Sequence, residues 1–240
     1  MSGSSNGDRS GRVLAAAKAL TAGPRRRFAL AVAAVLILLA GARVVTWFGP
    51  VGTGLVAGPV ITVLLLLLAR RAGLSWDDLG LGRRAARRGA LWAAIAVVVV
   101  AAVLLTGVAV PWIRSAFLDV RYQLDAGSAL VTALLVIPLS TILLEEIAFR
   151  GVLFGLLHQR QRTAWAFGVS SALFGLWHIV PYLPAGRYGA VAAIVGTTAL
   201  LGLLLCELRR RSGSLLAAVG GHWAANGLGV LLAALLWSWT

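Results

Sequence analysis

Two adjacent carboxylates, Glu145 and Glu146, stand inside the apolar stretch Leu143-Leu-Glu-Glu-Ile-Ala-Phe-Arg150. A charged side chain at bilayer depth costs about 2.5–3.5 kcal/mol on insertion scales, so two together need partners, a proton or a water-filled cavity, and they mark a functional site by default. Glu207 falls at the end of an apolar run, within reach of Arg210 or Arg211, and the other acidic residues lie in polar segments. Helical spacing separates the pair. Glu146 and Arg150 are four apart and share a face, so they can form a buried ion pair that orients the helix. Glu145 is turned about 100° away and has no local partner. A carboxylate facing a desolvated cavity suits general acid or base work.

Two further apolar runs carry groups that can join it. Phe174-Gly-Leu-Trp-His178 puts Phe174 and His178 on one helix face, and His222-Trp-Ala-Ala-Asn226 does the same for His222 and Asn226. Taken alone, each histidine reads as a packing residue or a hydrogen bond between helices. Three runs each presenting such a group is a stronger pattern. Measured along the helices from their basic ends, Glu145, His178 and His222 lie roughly 18, 22 and 14 Å deep, which permits one mid-membrane site. His158 falls at the end of its run and reads as interfacial.

Glu145 and His178 can bind and deprotonate a water, and His222 and Asn226 can donate hydrogen bonds to the oxyanion formed when that water attacks a carbonyl. No Gly-x-Ser-x-Gly turn is present, and Ser170-Ser171 lies more than a turn from His178, which argues against a serine nucleophile. Glu145, His178 and His222 can equally hold Zn²⁺ with a position left for water. The His-Glu-x-x-His helix of many zinc proteases is absent. The residues leave the choice between a bare and a metal-bound water open.

Such a set must be positioned by membrane-spanning helices. The chain is 60% apolar and 12% charged, against roughly 25% charged for a soluble domain. Apolar runs near 28–48, 51–69, 90–111, 128–157, 163–181, 188–208 and 214–238 are each about long enough to cross a bilayer. The expected fold is an all-α polytopic bundle of about seven spans. The first two form a hairpin at Gly49-Pro50, and the fourth is one tilted helix or two pieces. The net charge of +14 sits in arginine clusters beside these runs. Such clusters fix topology, which argues against nucleic acid as a partner. With the N-terminus cytoplasmic, only Arg43, Arg114, Arg121 and Arg187 fall on the opposite side. Residues 1–24 read as a flexible basic cytoplasmic tail, and 25–240 as a single membrane domain with its motifs in 140–230. Leu74-Ser-Trp-Asp-Asp-Leu-Gly-Leu81 reads equally as an interfacial segment anchored by Trp76 or as a loop with a cap at Asp77 or Asp78. Cys206, in an apolar run, reads as a small buried hydrophobe.

Glu145-Glu146-x-x-x-Arg150, Phe174-x-x-x-His178 and His222-x-x-x-Asn226, in that order on separate runs, resemble the three motifs of the CPBP family of CAAX prenyl proteases and bacteriocin-processing or immunity (Abi) proteins. Phe149-Arg150-Gly151, Gly213-Ser-Leu-Leu and Asp78-Leu-Gly-Leu81 agree with it. The resemblance implies an intramembrane endopeptidase, historically labelled a metalloprotease, acting on a protein or peptide substrate in the bilayer. It implies Glu145 and His178 as water activators, His222 and Asn226 as oxyanion stabilisers, and Glu146, Arg150 and Phe174 as support. In eukaryotic members a C-terminal tripeptide is removed from a prenylated protein. The Ala-, Arg-, Gly-, Val- and Leu-rich composition suits a bacterial inner-membrane protein, where prenylated substrates are not expected. Two rivals use the same residues: a non-catalytic binding or immunity protein, and a proton-coupled transporter with Glu145 and His178 as a relay. A transporter predicts internal repeats and broken helices, of which Pro138 is the one hint near the pair.

Overall fold

A computed structural model describes residues 23–180 and 188–240, and every regular element among them is helical. The expected tail, apart from its last two positions, lies outside the described residues, as do Arg187 and the last residue of the run near 163–181. Helix α1 (Pro24–Phe48) opens with a proline in its first turn, where the missing N–H costs nothing. It packs against α2 (Thr53–Arg71) through the short link 49–52, whose Gly52 takes φ +90°.

The Leu74–Leu81 segment is a loop. Asp78 accepts from both the amide and the hydroxyl of Ser75, so the side chain closes a turn and no interfacial helix forms. Leu74 and Leu79 are fully buried while Trp76 is exposed. Arg209 reaches across to donate to the carbonyls of Asp77 and Asp78. Gly80, at φ +75°, leaves the room: a Cβ there would come within 2.2 Å of Arg209 Nε.

A 3₁₀ turn then leads into α3 (Ala86–Ala109), a peripheral helix whose valines and leucines are largely exposed. After the short α4 (Pro111–Arg114) and two 3₁₀ turns, Asp125 caps α5 by accepting from Ser128 N–H. Helix α5 (Ala126–His158) is one continuous 33-residue helix, which resolves the alternative of two pieces. Its interior is π-helical at Thr132–Val136, Pro138–Ile142 and Glu146–Leu153. The wider coil absorbs the backbone disturbance of Pro138 without a break. Residues 144–157 are buried on every face, as befits the central helix of a bundle.

Helix α6 (Thr163–Trp177) has 15 residues. It lies against α7 (Tyr188–Ser212), brought close by Gly175, where a Cβ would stand 2.6 Å from the carbonyl of Val195. Helix α8 (Leu215–Trp237) returns beside α3 and α7 and turns π-helical at Ala224–Leu228. Six of these helices are long and apolar enough to cross a membrane. The expected seventh corresponds to α6, which is shorter than that.

Candidate active site

The central stretch of α5 faces α6 and α8 with its most polar residues. Glu146 and Arg150 form the ion pair that their spacing allows, at 2.8 Å and with both side chains essentially inaccessible. The same Glu146 oxygen lies 2.7 Å from His222 Nδ1. A carboxylate oxygen can only accept, so this histidine nitrogen carries the hydrogen. His222 Nε2 points to the other carboxylate, 3.8 Å from Glu145 Oε2. One ring is therefore held between the two glutamates.

Phe174 packs this assembly from α6. Its ring lies edge-on to Phe149, His178 and His222, with centroids 5.3, 4.8 and 5.7 Å away. Arg150 sits over its face. Ser170 donates to the carbonyl of Phe149 at 2.8 Å, which ties α6 to α5 one turn below.

Glu145 has a partner that spacing along its own helix does not reveal. Trp177 Nε1 donates to its Oε1 at 2.8 Å. Its Oε2 is buried and has no hydrogen bond among the described residues. Trp177 is covered by Arg43 of α1, whose guanidinium carbon is 4.0 Å from the ring centroid. Two signals in the sequence point this way: an indole beside His178, which seeks an acceptor when buried, and an arginine within an apolar run.

His178 is not inside a helix, as the sequence led one to expect. It is the C-cap of α6, with φ −89° and ψ 2°. Its Nδ1 meets the carbonyl of Phe174 at 2.8 Å. The carbonyl accepts, so Nδ1 carries the hydrogen, and Nε2 is the acceptor of the ring whenever it is neutral. Asn226 lies in the π-helical turn of α8. His178, His222 and Asn226 line one cavity of about 460 Å³ together with Phe117, Tyr122 and Thr198. Glu145 is not on its wall. It meets the cavity through His222, and no direct contact joins it to His178.

The donor set does not make the three-ligand cradle that a zinc ion needs. Among the described residues no three His, Cys, Asp or Glu side chains converge closely enough to hold a metal. His222 keeps Nε2 available while Nδ1 is on Glu146, but no hydrogen bond or ion pair brings His178 to Glu145. Cys206 is buried and free, with Ser170 and Ser171 as neighbours, in keeping with a packing role. His158 stacks on Phe154 at the C-terminal end of α5, about two turns beyond Arg150.

The fold and the site together define a multi-pass membrane protein with a buried carboxylate–histidine centre beside a cavity. Residues 127–228 match the family model described as Type II CAAX prenyl endopeptidase Rce1-like. The match spans less than half of the chain and contains all three motifs, so the resemblance to the CPBP and CAAX prenyl protease family is shown over this segment, and that family is one of proteases. No curated protein and no solved structure matches the chain.

Proposed function

We propose that the protein is an intramembrane endopeptidase, in a bacterial inner membrane, that hydrolyses a peptide bond of a membrane protein or peptide with a water activated by Glu145. One observation carries the reading: Glu145 Oε2, buried and unpartnered among the described residues, lies 3.8 Å from His222 Nε2 at the edge of a cavity lined by His178, His222 and Asn226. A water about 2.8 Å from both atoms would bridge them once the side chains part to admit it from the cavity.

Glu145 takes a proton from this water as its oxygen bonds to the carbonyl carbon, and His178 Nε2 accepts the second hydrogen. The oxyanion forms beside the Asn226 amide, which donates to it, and beside His222, whose ring donates from Nε2 when it carries a proton there as well as on the Nδ1 held by Glu146. Glu145 then passes its proton to the amide nitrogen as the C–N bond breaks, leaving a carboxylic acid and an amine. Glu146 and Arg150 hold the His222 ring in place, and Phe174 packs it against His178.

The test compares the membrane peptides of cells carrying the full chain with those of cells carrying its Glu145→Gln variant, and then the two purified proteins on an internally quenched peptide that spans the cleaved sequence so found. Wild type is expected to cleave, and at least one membrane peptide is expected to depend on Glu145. Equal peptide profiles, or equal rates on that peptide, would sink the proposal and favour a non-catalytic binding protein.

A further inference from the structure

We infer that Arg43 and Trp177 form a clamp that positions Glu145 for reaction. This rests on Glu145 being the base. Trp177 Nε1 donates to Glu145 Oε1 at 2.8 Å, which occupies that oxygen and leaves Oε2 as the one turned to His222. The indole thus selects which oxygen is available and fixes the carboxylate rotation.

The indole is itself held twice by one side chain. The Arg43 guanidinium lies over its ring, 4.0 Å from the centroid, and Arg43 Nη2 donates to the Trp177 carbonyl at 2.8 Å. Trp177 is the last residue of α6, and His178 is its cap. Arg43 therefore satisfies a carbonyl that a helix end leaves without a partner. It also brings a cation to the negative end of the helix dipole. A cation over an aromatic face is attracted by the ring's quadrupole. Phe149 packs edge-on to the indole, with ring centroids 6.2 Å apart. One arginine on α1 thereby aligns both Glu145 and the helix end that carries His178.

Arg43 lies outside the matched segment 127–228, and it is a charge within an apolar helix of 25 residues. Such a charge is expensive in lipid unless it has polar partners inside the bundle. The carbonyl and ring of Trp177 supply them.

The test uses the full chain, ¹⁵N-labelled at tryptophan, in phosphatidylethanolamine–phosphatidylglycerol nanodiscs. The Trp177 indole N–H resonance, assigned by its loss in Trp177→Phe, is expected to move upfield in Glu145→Gln and in Arg43→Gln, and to move back in Arg43→Lys. On the quenched peptide that spans the sequence whose cleavage depends on Glu145, Trp177→Phe and Arg43→Gln are each expected to lower kcat roughly tenfold to a hundredfold, with KM changed by no more than about twofold, because a misplaced catalytic group costs rate rather than binding. A Trp177 resonance indifferent to both Glu145→Gln and Arg43→Gln overturns the clamp, whatever the enzyme does. Wild-type kcat in both variants, with Glu145→Gln inactive, overturns the positioning role and leaves the peptidase reading standing. If wild type does not cleave this peptide, that counts against the peptidase reading, and the resonance alone decides the clamp.

Discussion

Arg150 lies against the face of Phe174, its guanidinium carbon 3.9 Å from the ring centroid, while its Nη1 donates to Glu146. The same Glu146 oxygen holds His222, and the same Phe174 ring packs edge-on to His222 and His178. The arginine thus braces the centre from two directions, by charge through Glu146 and by ring contact through Phe174.

Removing it leaves an uncompensated buried carboxylate. Arg150→Ala is expected to destabilise the protein by about 3–5 kcal/mol, seen as a large fall in Tm and in membrane yield. Arg150→Lys is expected to recover only part, since an ammonium has neither the planar fork nor the flat face of guanidinium. A Tm for Arg150→Ala near that of wild type would show that the ion pair does not hold the bundle.

Asn226 lines the cavity without any role in the buried ion pair. Asn226→Ala is therefore expected to lower kcat by about a hundredfold or more, the loss typical of one oxyanion donor, with Tm little changed. Loss of Tm in proportion to activity would make Asn226 a packing residue.

The loop that Arg209 fastens has its own titration. Burial works upward on the Asp78 carboxyl, but hydrogen bonds from Ser75 and Gln159 and the charge of Arg209 hold it below its ordinary value of 3.8. A carboxyl lowered on folding binds protons less readily than the unfolded chain does. Its stabilisation is complete above that ordinary value and is lost as pH falls through the lower folded one. Asp78→Asn is accordingly expected to lower Tm at neutral pH, with the deficit shrinking as acid protonates wild-type Asp78. A deficit constant with pH would assign the effect to shape rather than charge.

The arrangement of Glu145, His178 and His222 also bears on metal. Because these side chains do not converge as three ligands, activity is expected to survive a strong chelator, and elemental analysis of purified protein is expected to find zinc well below one per chain. Stoichiometric zinc with chelator-sensitive cleavage would require the site to close into another geometry.

The sequence displayed whatever repeats at helical spacing. Apolar runs marked the long helices to within a few residues, and Glu146 met Arg150 because four residues on one helix bring side chains together whatever surrounds them. Contacts between helices left no such periodic trace. The bond from Trp177 to Glu145 joins residues 32 apart and the one from His222 to Glu146 joins residues 76 apart, and neither spacing announces itself. The π-helical turns were equally hidden: they change the phase of α5 after Pro138 and through Glu146–Leu153 without altering composition. For the same reason the similar depths of Glu145, His178 and His222 gave no sign that His222 is the histidine that comes within 3.8 Å of the carboxylate.

Helix α6 is short for its surroundings. Fifteen residues rise about 22 Å, against a hydrocarbon layer of about 30 Å. Lipid meets a short span by thinning around it. His178 caps that helix, so the histidine on the cavity wall stands where α6 stops, short of that thickness. The proposed hydrolysis consumes a molecule that the membrane interior lacks, and a helix that stops short at the cavity would shorten the path by which it arrives.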